Sequence, residues 1–154
     1  MHQYRCIYIY LSMKTLPCLC ASFRRASRAL TQLYDEALRP AGLRITQFTV
    51  LQALSLAGEI SQGELGRMLV TDSTTLTRTL RLLADEGWIH ERRGTDRRQR
   101  WLSLSSAGRR KFALAAPRWR DVQARLAARF GSKRWRQLMQ VSTELTDGVA
   151  SVAP

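Results

Sequence analysis

The sequence predicts a mainly α-helical fold with a small antiparallel β-hairpin, and three observations carry that expectation. Leu76, Leu80 and Leu83 recur at a three-to-four-residue spacing between a capping residue at Thr71 or Asp72 and a stop at Gly87, which marks a helix with one buried stripe. Trp88 to Arg92 and Arg100 to Leu104 alternate apolar and polar residues around an arginine-rich bend, as two half-buried strands do. Long stretches with helical periodicity stand at both ends of the chain. Together these predict a helix-turn-helix followed by a β-hairpin wing, framed by N-terminal and C-terminal helices.

The elements follow in chain order. The apolar run Ile7 to Leu11 is far shorter than the roughly 20 residues a membrane span needs, and no strong basic start marks a signal peptide. Met13-Lys14 reads as a more natural beginning, so residues 1–15 are expected to be a disordered extension or a start-site artefact. Residues 16–45 hold a first helix from Leu16 or Pro17 to Leu38, with Phe23, Ala26, Leu30, Leu33 and Ala37 on its apolar face and Pro40 and Gly42 beyond its end. The reading module spans residues 46–104. Thr46 is the expected cap of a helix over 47–57, which sends Phe48, Val50, Leu51 and Leu54 inward, and Gly58-Glu59-Ile60 has the look of a short third strand. Ser61 and Glu64 have capping-box spacing ahead of a short helix over 64–68, and Leu69-Val70-Thr71 forms the turn. The second helix then runs to about Glu86. Gly94 supplies a residue able to take positive φ at the bend of the wing. Residues 105–150 form the last unit: a long helix from Ser105 to about Arg129, kinked or broken over 113–118 by Pro117, then a helix over 133–149 with Trp135, Leu138, Val141 and Leu145 on one stripe.

The outer face of the second helix of the module carries Ser73, Thr74, Thr77, Arg78 and Arg81, short hydroxyls followed by long cations, and Thr75 adds a further hydroxyl for DNA. Such a face fits a DNA major groove about 12 Å wide. The hydroxyls can bond phosphates or base edges, Arg78 is placed for bidentate guanine readout, and Arg81 for phosphate. On the wing, Arg93, Arg97 and Arg98 can reach phosphates or a narrow minor groove. Asp96 either orients a neighbouring guanidinium or serves the turn through local backbone bonds. The net charge of +13 points to a polyanionic partner without locating the site, because ten basic residues against one acid lie between Ser105 and Gln140, outside the reading module.

The runs Asp72 to Arg78 and Leu83 to Ile89, the pair Asp96 and Arg98, and Leu102 to Gly108 resemble the MarR family of bacterial winged-helix regulators. The pair matches the family's D-x-R wing, and Leu104-Ser105 to Gly108 matches its L-T-x-x-G lead into the next helix, with Ser105 for the usual Thr. The likeness covers about residues 20–148. It implies a homodimer built from the intertwined terminal helices, which would cover their apolar stripes. Two-fold symmetry implies a pseudo-palindromic operator in double-stranded DNA, with half-sites about 34–36 Å apart. It also implies a regulator, most simply a repressor, released by a small aromatic or anionic effector or by an oxidative signal.

Cys18 and Cys20 stand at the start of the first helix, where the helix dipole and Arg24 and Arg25 favour a thiolate. The alternative reading of each is a small buried hydrophobe. Peroxide-sensing relatives place a reactive cysteine near this position, which Cys20 matches best. Tyr34 matches a tyrosine that bonds the thiolate across the dimer, and Ile45 stands where that branch has a second one. Organic hydroperoxide is the signal this implies. Three cysteines without a secretory context suit reduced thiols in the cytoplasm. Two histidines with no nucleophile or ligand set beside them, and no phosphate-cradling glycine motif, argue against an enzyme; no metal or other cofactor is expected. The rival reading is a non-specific nucleic-acid-binding protein, favoured by the basic terminal helices.

Overall fold

The computed structural model describes residues 18–94 and 99–149. Its elements are α1 (Leu19–Leu38), a 3-10 turn (Arg39–Ala41), α2 (Ile45–Ala57), β1 (Glu59–Ser61), α3 (Gln62–Leu69), α4 (Ser73–Asp85), β2 (Ile89–Arg93), β3 (Arg100–Leu104), α5 (Ser106–Phe130) and α6 (Ser132–Val149). The expected extension over 1–15 and a helix start at Leu16 or Pro17 lie outside the described residues.

Local chemistry sets most boundaries. The Ser61–Glu64 capping box forms reciprocally, and α3 therefore starts at Gln62, two residues earlier than the spacing suggested. Val70 ends it in the left-handed region at φ 47°. Gly42, at φ 65°, closes the 3-10 turn. The start of α2 corrects the expectation for Thr46, which is exposed within the first turn. Asp35 on α1 accepts the Ile45 amide at 2.6 Å, and Gln47 accepts the Arg44 amide at 2.9 Å, so the free amides are satisfied one residue upstream.

Phe48 of α2 is fully buried and stacks on Phe112 and Trp119 of α5, with ring centroids 5.3 and 5.7 Å away. Leu38, Leu51, Leu54, Leu65, Leu76, Leu80, Leu83 and Leu102 complete one continuous core. The three strands form an antiparallel sheet in the order β1-β3-β2, with Ile60 opposite Leu102 and Ile89 opposite Leu104. The expected kink or break at Pro117 is corrected to one uninterrupted helix. Phe112 and Ala115 before the proline and Trp119 and Val122 after it all pack inward, while Ala113, whose carbonyl loses its partner, is exposed to water.

The terminal helices are only half covered. On α1 only Tyr34 and Leu38 are buried, whereas Leu19, Phe23 and Leu30 are exposed. No residue of α6 is buried: Leu138 and Val141 are exposed, Trp135 and Leu145 half-buried. Among the described residues no helix is long and apolar enough to cross a membrane.

Candidate nucleic-acid interface

The expected reading helix is α4. Asp72 caps it by accepting the Thr75 amide at 2.9 Å, and that bond holds the Asp72 carboxyl below its usual range. Leu76, Leu80 and Leu83 are buried, which fixes the helix's rotation about its axis. Ser73, Thr74, Thr75, Thr77, Arg78 and Arg81 are then all exposed. Gly66 lets α3 come close: a β-carbon there would lie 3.5 Å from Leu76 and from the Thr71 carbonyl. Gln62 on α3 reaches α4 and donates from Nε2 to Thr77 Oγ1 at 3.0 Å. An open cleft of about 1150 Å³ separates these helices from β3, lined by Gln62, Arg67, Ser73, Thr77, Arg100 and Trp101 among others.

Beside the cleft, β2 and β3 pair as far as Arg93 opposite Arg100, and the Gly94 amide donates to the Gln99 carbonyl at 2.9 Å. Gly94 does not take positive φ, contrary to expectation. Its smallness matters because a β-carbon there would approach the Trp101 indole nitrogen to 3.0 Å. Arg92 is exposed but engaged within the sheet: its Nε and Nη2 donate to the two Glu59 oxygens at 2.7 and 2.5 Å, and its guanidinium lies 5.2 Å above the Trp101 ring. Register explains the bridge. Arg92 faces Trp101 and Glu59 faces Ser103, two residues apart on β3 and so on one face of the sheet. The Arg92 hydrogen bond in turn holds the Glu59 carboxyl below its usual range. Arg100 pairs with Glu91 at 3.8 Å. Arg93 is exposed and makes no ion pair with another described residue, while Asp96, Arg97 and Arg98 lie outside the described residues.

The wing joins α5 through a tight corner. Ser105 Oγ accepts the Gly108 amide at 2.9 Å and donates to the Gly87 carbonyl at 2.6 Å, and the Ser105 amide donates to the Trp88 carbonyl at 3.0 Å. Lys111, one turn on, lies 4.5 Å from the centre of the Trp88 ring. Gln62, the Glu59–Arg92 bridge and this corner escaped the sequence reading. Only the family-like lead into α5 gave any signal for one of them.

Cys18 occupies the N-cap position of α1 and Cys20 its first turn. Both are exposed in the single chain. Tyr34 is buried, and burial pushes its hydroxyl pKa up; it lies nearly four turns along the same helix from Cys20, so the structure does not bring the two together within one chain. Ile45 is half-buried. No cluster of three or more potential metal ligands occurs among the described residues.

The model of the MarR family matches residues 43–99. The chain is 30% identical over 94 residues to the uncharacterized HTH-type transcriptional regulator YwoH of Bacillus subtilis, covering 61% of this chain and 69% of that one. It is similar to the M. tuberculosis transcriptional regulator MosR, solved in complex with DNA, at 35% identity and a TM-score of 0.81 over 89% of this chain and 99% of that one. A cysteine-to-serine mutant of MarR from E. coli, complexed with operator DNA, shares the fold at 22% identity and a TM-score of 0.74, over 82% of this chain and 92% of that one.

Proposed function

Because the chain belongs to the MarR family of transcriptional regulators, which bind DNA and are not enzymes, we propose that it binds a pseudo-palindromic operator as a homodimer and represses until a signal releases it. One observation carries this reading. The hydroxyl and guanidinium face of α4 is wholly exposed beside the arginine-bearing wing, while the helix's apolar stripe is wholly buried. That is the arrangement a groove-reading helix requires. The exposed apolar residues of α1 and α6 support a second copy as the partner that covers them. MosR, bound to DNA in its crystal structure, supports duplex DNA as the target.

The test is a salt titration of binding to the selected operator and to unrelated duplex, with the oligomeric state measured alongside. A specific dimer prefers its operator by about 10³-fold or more at physiological salt. A ratio near one would establish the non-specific rival instead.

For the signal, a crevice of about 300 Å³ between α1 and α5 is lined by Leu33, Val122 and Leu126, with Arg125 and Arg129 alongside. An apolar lining with guanidinium groups suits a small aromatic or anionic effector. A second reading, oxidation by organic hydroperoxide, is favoured by the exposure of Cys18 and Cys20 at a helix N-terminus. Titrating Cys20→Ser with hydroperoxide in a DNA-release assay separates the two. Release at the wild-type dose removes the oxidative route through that thiol.

A further inference from the structure

A helical threonine commonly rests its hydroxyl on the carbonyl one turn back. Thr49 does so on Ile45 at 2.8 Å, Thr79 on Thr75 at 3.1 Å and Thr146 on Ser142 at 2.9 Å. Thr77 departs from this pattern. Its Oγ1 accepts the Gln62 Nε2 hydrogen across the turn between α3 and α4, at 3.0 Å. A hydroxyl has one hydrogen and two lone pairs. With a lone pair engaged by Gln62 and no acceptor for its hydrogen among the described residues, Thr77 presents a donor to the cleft.

We infer that Gln62 is a specificity-determining positioning residue: it sets the hydrogen-bond polarity of Thr77, so that Thr77 selects acceptor atoms on DNA. The acceptors are purine N7, guanine O6, thymine O4 or a phosphate oxygen; the amino groups of adenine and cytosine, left only the second lone pair, are disfavoured. Gln62 acts through Thr77, not through a contact of its own. This inference rests on the DNA-reading function proposed above.

The probe is the duplex that the full wild-type chain recovers from a randomised pool. Gln62→Met removes the amide at similar length, Thr77→Val removes the hydroxyl at similar shape, and the double variant closes a thermodynamic cycle. Each single change is expected to weaken binding by about five-fold, and the double by no more than either single, because both remove one shared interaction. Gln62→Asn, one methylene too short to reach Thr77, repeats the test should the Met variant fold poorly. Duplexes with single 7-deazapurines and with single methylphosphonates identify whether the lost partner is a purine N7 or a phosphate. A modification to which the wild type responds and Gln62→Met does not marks that atom. A guanine O6 or thymine O4 partner instead leaves the response to both probes unchanged while the cycle stays non-additive. Additive losses in the cycle overturn the inference while leaving operator recognition intact. Failure of the wild-type chain to recover any preferred duplex overturns both.

Discussion

Gly108→Ala gives the sharpest test of the packing. Within an exposed helix this change stabilises by about 1 kcal/mol, since alanine is the better helix former. Here the sign reverses. A β-carbon on Gly108 would lie 1.9 Å from the Trp88 carbonyl oxygen, 2.8 Å from its carbon and 3.2 Å from its Cα, all backbone atoms. That oxygen already accepts the Ser105 amide at 3.0 Å, and Ser105 is itself bound to Gly87 and Gly108. Side-chain rotation cannot relieve the overlap, so either β2 or the start of α5 must shift by more than about 1 Å, which breaks the corner's hydrogen bonds. Overpacking costs about 1–3 kcal/mol where side chains can yield, and a backbone clash belongs at or above the upper end. The net expectation is a loss of about 2–4 kcal/mol in denaturant unfolding at constant slope. Ser105→Ala, which removes one cap and one hydroxyl donor, should cost about 1–2 kcal/mol. A Gly108→Ala variant as stable as the wild type would refute the close approach.

The other expectations concern the wing, the cap and the reading face. Glu59→Gln or Arg92→Ala should loosen the hairpin, read as faster hydrogen exchange at the Gly94 amide that bonds Gln99, with the core amides unchanged. Asp72 has its pKa lowered from an ordinary 3.8 by the Thr75 amide, so its contribution is complete above that value and is lost as pH falls through the lowered one. Asp72→Asn, which keeps a capping acceptor, should therefore flatten that part of the acid-unfolding curve. Arg78→Ala should relax preference at one base pair by about 1–3 kcal/mol, whereas Arg98→Ala should weaken all duplexes alike; identical profiles would refute the division of labour.

Where a signal is local, the sequence carried it. Leu76, Leu80 and Leu83 mark the inner face of α4, Asp72 caps it, and Ser61 with Glu64 opens α3, each within one or two helical turns. The misses share a different cause, an acceptor or a neighbour distant in sequence. Thr46 was the better cap by residue type, but Asp35, ten residues earlier, serves the Ile45 amide. Pro117 pointed to a kink or a break in α5, but aromatic packing on Phe48 spans it. Gly94 suggested a left-handed bend and instead makes room for Trp101. Among the site residues, the exposure of Ser73, Thr74, Thr77, Arg78 and Arg81 on α4 followed from periodicity alone. Thr77's partner on α3 did not, because nothing in the spacing of Gln62 and Thr77 announces a contact across a turn.

Charge, finally, is where counting residues and placing them diverge, and the difference can be measured. The chain carries +13, yet several cations are engaged within it: Arg92 by Glu59, Arg100 by Glu91, Arg125 by Asp121, Arg109 by the Leu104 carbonyl, and Lys111 over Trp88. The proposed interface uses Arg78, Arg81, Arg93, Arg97 and Arg98, and so at most ten guanidinium groups in a dimer. Counterion release then bounds the slope of log K against log salt at about −9, and lower in magnitude if Arg78 reads a base instead of a phosphate. A chain that used its whole excess charge on DNA would reach a slope of about −20 or steeper as a dimer. Binding to the selected duplex between low and physiological salt distinguishes these values. A slope well beyond −9 would mean that the basic surfaces of α5 and α6 also lie on the duplex, which a dimer holding only α4 and the wing against DNA does not allow.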